Sequence, residues 1–419
     1  EYSYLRMRAR LKLTARASED LYGVMYFEMN AKPYGGSGPI AAWGVSGRAA
    51  GVGVKELFLD FKIPNIGIPV WLRVGRQAFA IRPVFFLYGE GTGISGRVKI
   101  EPVSIYMGYA KMYEGDYWLS DDWDLYMWDI SVPVSNVKVG IFGAYQDARE
   151  GGIDEYDSQA IFQAPKFTAG DDDGDLHMWW IGAYLDGAFG PVKISVDFAY
   201  DGGEFDFDDP AEEDYDFQGW ITRVVGSYKW NDLNFGLKFK YASGLDVEEV
   251  ARDYEWSGYL GPYTTLTPVL RRDLLVMEGA WNQKMLIGEG RGMASTWEGL
   301  GGYWFVGPFI DWQALDWLKL RFQFAYIGDT VEDGDLLTVQ LDPRTGELED
   351  HDTIGWEFDV GATVNVYKNL VLNLGFGYLI AGDALDEQWL DLDTEGNPVG
   401  NNVSVDDLWV AFAEIVYTF

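Results

Sequence analysis

The chain has 419 residues, a formal net charge of −34 and no cysteine, so disulfides, thiolate metal sites and a cysteine nucleophile are excluded. Two histidines leave little material for a histidine-based active site, and the negative charge argues against general nucleic-acid binding. Although 48% of the residues are apolar, no uninterrupted apolar run approaches the roughly 18–20 residues that a membrane-spanning helix needs.

The first segment shows the pattern that the rest of the chain repeats. Its apolar set alternates with a basic or polar set; the first is Leu5, Met7, Ala9, Leu11 and Leu13, and the second is Arg6, Arg8, Arg10, Lys12 and Thr14. A strand places the two sets on opposite faces, whereas a helix would leave no apolar face. Segments 233–242, 318–326, 354–363 and 370–378 repeat the alternation and often end in aromatics. This pattern indicates strands with lipid on one side and water on the other.

The connections between these segments alternate in length. Short turns are predicted near Ser18-Glu19, Pro64-Asn65, Glu101-Pro102, Ser135-Asn136, Gly190-Pro191, Asn231-Asp232, Leu315-Asp316 and Lys368-Asn369. Long loops are predicted at 31–52, 81–92, 114–121, 148–175, 201–216, 243–298, 328–352 and 381–404. Outer-membrane barrels have short turns on the periplasmic side and long loops outside.

About 17 strands follow from this division, the weakest at 299–311, where Pro308 interrupts the alternation. An odd count would leave an antiparallel barrel unclosed, so we expect a further strand ahead of residue 1 and about 18 in all. The predicted fold class is all-β, a single transmembrane antiparallel β-barrel over 1–419, with 243–298 as its largest loop. The last strand ends on Phe419 and resembles the signal by which the barrel assembly machinery recognises its clients.

Three stretches resemble the trimeric porins of sulfate-reducing bacteria. They are Arg8-Ala9-Arg10-Leu11 through Ala17-Ser18-Glu19-Asp20-Leu21-Tyr22-Gly23-Val24 to Tyr26-Phe27-Glu28, then Val54-Lys55-Glu56-Leu57 to Asp60-Phe61, and Leu72-Arg73-Val74-Gly75-Arg76-Gln77. The resemblance is specific over about the first 150 residues and architectural beyond them. It implies a homotrimer in the bacterial outer membrane, in contact with lipid and lipopolysaccharide, with a diffusion pore through each protomer. It also implies that the third loop, 81–92, folds into the barrel, where Glu90 would face a basic wall; the alternative is that this loop stays outside the barrel.

The inward faces of the predicted strands carry more basic than acidic residues, while the acidic residues concentrate in the loops. The residues predicted to line the pore or its constriction are Arg6, Arg8, Arg10, Lys12, Arg73, Arg76, Glu90, Arg97, Lys99, Lys319, Arg321, Glu357 and Asp359. A cationic wall would steer anionic solutes through the constriction. The alternative is that these charges only hydrate the lumen and pair across it.

No cofactor is predicted, apart from a calcium ion that Asp171, Asp173 and Asp175 could bind in an acidic loop. The predicted function is a passive porin for small hydrophilic solutes and ions; the alternative is a specific channel for small anions or organic acids. An enzyme is not expected, because neither His177 nor His351 sits in a lumen position with a partner for catalysis.

Overall fold

The computed structural model describes the long strands and parts of the loops that connect them. The described residues are 8–30, 51–113, 122–149, 174–207, 213–246, 249, 252–262, 273–278, 302–332, 340–341, 348–385, 387–392, 398–403 and 406–418. The predicted loop 31–52 lies almost wholly outside them. No helix in these ranges is long and apolar enough to cross a membrane.

Alternation of apolar and polar residues produces strands along the whole chain. In order they are β1 (Arg8–Ser18), β2 (Leu21–Asn30), β3 (Gly51–Lys62), β4 (Val70–Ile81), β5 (Leu87–Ile100), β6 (Val103–Tyr113), β7 (Trp123–Val134), β8 (Val137–Ala148), β9 (Gly174–Phe189), β10 (Val192–Phe207), β11 (Tyr215–Trp230), β12 (Leu233–Ala242), β13 (Glu255–Trp256), β14 (Tyr303–Leu315), β15 (Leu318–Asp329), β16 (Gln340–Leu341), β17 (Leu348–Glu349), β18 (Thr353–Tyr367), β19 (Leu370–Ala381), β20 (Glu387–Leu392), β21 (Pro398–Val403) and β22 (Leu408–Tyr417). Five of these are short, namely β13, β16, β17, β20 and β21, and the other seventeen match the predicted set.

The long strands form one sheet in which each pairs antiparallel with the next along the chain. The two-residue β13 pairs parallel with β11 beyond the end of β12. β16–β17 and β20–β21 are separate hairpins in long loops. Among the described residues, β1 pairs only with β2 and β22 only with β19, and both run in the same direction. The prediction of an antiparallel transmembrane barrel is confirmed.

The outer face of the sheet is apolar and exposed, as a lipid-facing wall must be. Leu237, Phe322, Phe358 and Phe376 are each between 43% and 50% exposed. Aromatic rings contact one another across neighbouring strands at the long-loop end, as in Tyr109–Tyr126–Tyr145, Trp179–Tyr200, Trp220–Tyr241 and Tyr326–Trp356. Such rings form a girdle at the level of lipid headgroups.

The predicted short turns are all present, and Ser135, Gly190 and Asn231 adopt the positive φ that tight turns require. Two predicted loops are too long, because β4–β5 and β10–β11 continue as strands through most of 81–92 and 201–216. Pro308 lies inside β14. Pro308 pairs with Leu237 of β12 in regular register. On its other side the pairing with β15 is interrupted between Val306 and Phe309, because proline has no N–H to donate.

Candidate functional site: a narrowed lumen

The tip of the β4–β5 hairpin folds into the barrel. Pairing of β4 with β3 ends at Arg76–Leu57, and pairing of β5 with β6 ends at Thr92–Lys111. Beyond those points, residues 77–91 pair only with each other in the described sheet. We call this segment the inner hairpin. It leaves the wall because both of its neighbouring strands stop pairing with it at the same height.

One face of the inner hairpin is apolar and fully buried. Phe79, Ile81, Phe86 and Leu87 are each at most 3% exposed and pack against inward side chains of β6–β9. The Phe86 and Phe142 ring centroids lie 4.6 Å apart. A lumen facing only water would have no such cluster, so burial of these side chains favours the inward position by roughly 1.5–3 kcal/mol for each.

Arg82, in the turn of the inner hairpin, reaches β9 and β10 on the barrel wall. Its guanidinium donates to Asp197 at 2.5 Å, to Asp186 at 2.7 and 3.2 Å, and to Ser195 at 3.0 Å. It also lies 4.4 Å from the centroid of the Tyr184 ring. Burial lowers the pKa of Arg82, but its hydrogen bonds to Asp197 and Asp186 raise that pKa above its usual range, so Arg82 stays protonated in this contact.

The gap between β3 and the inner hairpin is bridged by two contacts. Lys55 forms an ion pair with Glu90, and Arg76 Nε donates to the Val54 carbonyl at 3.1 Å. Glu90 therefore meets a basic residue of the inner wall, but that residue is Lys55. The prediction that Arg76 lines the pore is wrong: it sits opposite Leu57 on the outward face, because it is three positions along the strand from the inward Arg73 and side chains alternate faces at every position.

A second segment, residues 273–278 of the long loop between β12 and β14, also lies inside the barrel. We call it the inner segment. Arg223 donates to the Asp273 carboxylate at 2.5 and 2.7 Å, and Lys238 donates to the Asp273 carbonyl at 2.9 Å. Lys240 donates to Glu278 at 2.9 Å. Acidic loop residues thus neutralise basic residues on the walls of β11 and β12.

Burial alone raises the pKa of Asp273 and Glu278, but neighbouring cations more than compensate. Arg223, with Lys238 and Lys240, holds the pKa of Asp273 well below its usual range. Lys240 likewise lowers the pKa of Glu278. Both carboxyls are therefore ionised when the segment is docked, and the ion pairs persist at neutral pH.

Glu357 and Asp359 were predicted to line the pore, and this is wrong. Both point inward from β18, but they are only 1% and 5% exposed because the inner segment covers them. The Glu357 carboxylate accepts the backbone N–H groups of Val276 and Met277 at 2.7 and 2.9 Å, and Asp359 accepts that of Leu275 at 3.3 Å. Glu357 and Asp359 therefore bind the backbone of the inner segment and do not face the solute path.

A third segment, residues 255–260, fills the long-loop end above β9–β11. Trp180 Nε1 donates to the Leu260 carbonyl at 2.6 Å, and the Trp256 ring centroid lies 6.1 Å from that of Phe217. Together with the inner hairpin and the inner segment, it narrows the long-loop half of the lumen.

The half nearer the short turns has two clusters in which two cations share one carboxylate. Arg73 and Arg97 both bind Asp60, at 2.7 and 2.6 Å. On the other side, Lys319 and Arg321 both bind Asp311, at 3.4 and 2.6 Å. Each cluster keeps one uncompensated positive charge. The side chains of Arg97, Lys319 and Arg321 are 44%, 46% and 37% exposed, so these charges face the lumen.

The remaining predicted residues lie near β1 and at a turn. Arg10 pairs with Glu28 at 2.6 Å, and Lys12 with Glu56 at 3.1 Å. Lys99 pairs with Glu101 at the β5–β6 turn. Arg6 lies outside the described residues, and only the backbone of Arg8 is described. Most basic residues of the predicted wall are therefore ion-paired. The exposed excess of positive charge is confined to the clusters on Asp60 and Asp311.

The predicted calcium ligands Asp171 and Asp173 lie outside the described residues, and Asp175 lies at the start of β9. In the part of the chain that the structure describes, no group of three or more acidic or histidine side chains could hold a metal ion.

Sequence reasoning missed Arg82, Lys55, Asp273 and Glu278. The only available signal was charge: Arg82 is a basic residue in a turn between apolar residues, and Asp273 and Glu278 flank an apolar stretch inside a polar loop.

No model of a known protein family matches the chain, and no curated protein does. Among solved structures, OccK9 (OpdG) of Pseudomonas aeruginosa matches with a TM-score of 0.52 at 13% identity, covering 99% of this chain and 92% of that one. A BenF-like porin from Pseudomonas fluorescens Pf-5 has a TM-score of 0.47 at 10% identity, with 95% and 86% covered. OmpT, an outer membrane protein of Vibrio cholerae, has 0.44 at 11%, with 85% and 88% covered. The likeness to OccK9 shows a shared fold alone. The chain therefore has the fold of a bacterial outer-membrane β-barrel.

Proposed function

We propose that the protein is a passive channel for small hydrophilic solutes and ions across the outer membrane. The observation that carries this proposal is the inner hairpin, a strand pair turned into the lumen and fixed to β9 and β10 by Arg82. A barrel interior packed only for stability has no need of charged groups facing water, whereas a conduction path needs a narrow, polar constriction.

The exposed clusters on Asp60 and Asp311 support a preference for anions. Each has one more cation than carboxylate, and the excess lies on the inner wall. Positive charge along a narrow path raises the local concentration of anions. The second candidate, a specific channel for small anions or organic acids, gains support from the same clusters together with the narrowed long-loop half.

A role as an enzyme has no support in the described residues. His177 lies on β9 opposite Asp147 of β8, 3.3 Å from its carboxylate, in the row that also holds the exposed Trp179 and Ile181. That row faces outward, away from the lumen in which a hydrophilic substrate would bind. We therefore expect no catalytic activity.

We further propose that the protein is a homotrimer that packs through the outer wall of β1–β5. The exposed large apolar side chains described on these strands are aliphatic or methionine: Leu11, Leu13, Leu21, Met25, Met29, Val52, Val54, Leu57, Leu59, Val74, Ile94 and Ile100. Among the residues that the structure describes, the aromatic girdle begins at β6. A wall without a girdle is poorly matched to lipid headgroups and well matched to another copy. The remaining wall would contact lipid and lipopolysaccharide, and β22 would contact the assembly machinery through Phe419.

Planar-bilayer recording of the purified protein tests the channel proposal. We expect discrete conductance steps and, at moderate salt, a reversal potential on the anion side. Vesicles containing the protein should also swell in small sugars. An absence of steps and of swelling, with correctly folded protein, would refute a channel.

A further inference from the structure

A space of about 370 Å³ lies between the turn of the inner hairpin and the wall of β7–β11. This is at the small end of the volumes of ligand sites in proteins. The hairpin contributes residues 80–85, including Arg82 and Phe85, and the wall contributes the titratable groups Asp129, Lys138, Tyr184, Asp197 and Arg223. The site therefore combines both signs of charge with aromatic surface.

Two carboxylate oxygens on this space have no hydrogen-bond partner among the described residues. They are Asp129 Oδ1 and Asp197 Oδ2, and Asp197 is only 1% exposed. The other oxygen of Asp197 is bound by Arg82, and the nearest Arg223 nitrogen is 3.8 Å from Oδ2. A buried carboxylate oxygen without a donor costs free energy, so these two atoms call for a ligand that donates hydrogen bonds.

The same space has a cation in the opposite situation. Lys138 lies on β8 with its ammonium 5.3 Å from the centroid of the Tyr184 ring, and no ion pair or hydrogen bond joins it to a described residue. It is an available donor for an acidic group. Arg82 lies over the same ring and supports that charge.

The charges nearly balance, which narrows the class of ligand. Arg82 and Lys138 face Asp129, Asp186 and Asp197, while Arg223 is already bound to Asp273. A simple anion would meet the carboxylates, and a metal ion lacks a suitable ligand group among the described residues. A molecule with an ammonium and a carboxylate satisfies both halves. Resting on the proposed channel function, we propose that this space is a binding site for a small zwitterion of amino-acid type, with its ammonium on Asp129 and Asp197 and its carboxylate on Lys138.

Three probes with the same five-carbon chain test this site: L-norvaline, pentanoate and pentylamine. Each is added to single channels at neutral pH, and its half-blocking concentration is measured. Norvaline should block at a concentration roughly tenfold or more below either analogue, since each analogue lacks one charge-assisted contact. Asp129→Asn and Lys138→Gln should each remove this advantage.

Two matched variants serve as controls. Lys229→Gln changes an exposed lysine at the end of β11, and Asp124→Asn changes an acid that pairs with Lys111 on the other face of β7. Both should keep the norvaline advantage within about twofold. Equal block by the three probes, stronger block by either analogue, or an advantage that survives both site variants would overturn the zwitterion site. A wild-type channel that does not conduct would instead refute the channel proposal.

Discussion

Removing the carboxylate of Asp273 should release the inner segment from the wall. Asp273→Asn leaves Arg223 and Lys238 buried with no carboxylate between them; their side chains are 15% and 7% exposed. Breaking a buried ion pair in this way costs about 3–5 kcal/mol. Asp197 stays 3.8 Å from Arg223 and offsets part of the loss, so we take about 3 kcal/mol, the lower end of that range. At about 1.4 kcal/mol per factor of ten, the docking equilibrium should weaken roughly 100-fold.

A single cysteine reports this equilibrium cleanly because the chain has none of its own. Met277 is fully buried by docking, so the thiol of Met277→Cys reacts with maleimide only when the segment opens. When reclosing is fast, the labelling rate follows the open population. Adding Asp273→Asn should therefore raise the rate roughly 100-fold. Asp124→Asn is the control and should leave it unchanged.

The reasoning is refuted if Asp273→Asn changes the labelling rate by less than about threefold while the barrel remains folded. That result would mean that Glu357 and the apolar contacts of Leu274, Val276 and Met277 hold the segment without the ion pairs. Heat-modified mobility on gels checks the fold of each variant.

The lowered pKa of Asp273 and Glu278 stabilises docking above about pH 4.5 and loses its effect only as pH falls through the lowered values. The ratio by which Asp273→Asn raises the labelling of Met277→Cys should therefore be the same at about pH 7.5 and about pH 5.5; a ratio that shrinks severalfold at the lower pH would contradict this. Arg82→Gln frees the inner hairpin and should raise conductance and its noise, with Arg321→Gln showing neither. Arg8→Glu combined with Arg10→Glu should move the reversal potential toward cations, most clearly at high salt, where charge at the mouth is screened within about 8–10 Å. An unchanged reversal potential would mean that these two residues only hydrate the lumen and do not determine selectivity. Leu57→Cys should be protected from a bulky maleimide in gently solubilised particles, and Leu374→Cys should not be; equal labelling would speak against the trimer wall.

The strands could be predicted from the sequence because their two faces meet different solvents. Wherever lipid lies outside and water inside, composition alternates with period two, as at 233–242 and 370–378. The short turns were predictable for a similar reason, since Ser135-Asn136 and Asn231-Asp232 tolerate positive φ.

The inward segments could not be predicted, because their partners lie far away in the chain. Arg82 meets Asp186 and Asp197 more than 100 residues later, and no local pattern records such a contact. Alternation was also misleading where the solvent changes. Beyond Arg76 the β4–β5 hairpin leaves the wall, and its alternating apolar residues pack against other side chains inside the lumen. On β12 the same alternation places the apolar residues against lipid.

Charge explains where the path for solutes remains open. The whole chain is strongly acidic, and acidic residues of the inner segment pair with basic residues of the wall. The inner segment docks on β11, β12 and β18, and the charged residues of the wall there are paired and covered. On β4, β5 and β15 no described loop covers the wall, and exposed cations outnumber carboxylates. Ions follow accessible charge, so conduction should run along β4, β5 and β15, past the outer edge of the inner hairpin. On the proposed channel function, the loops would determine selectivity, because they decide which cations of the wall remain uncovered.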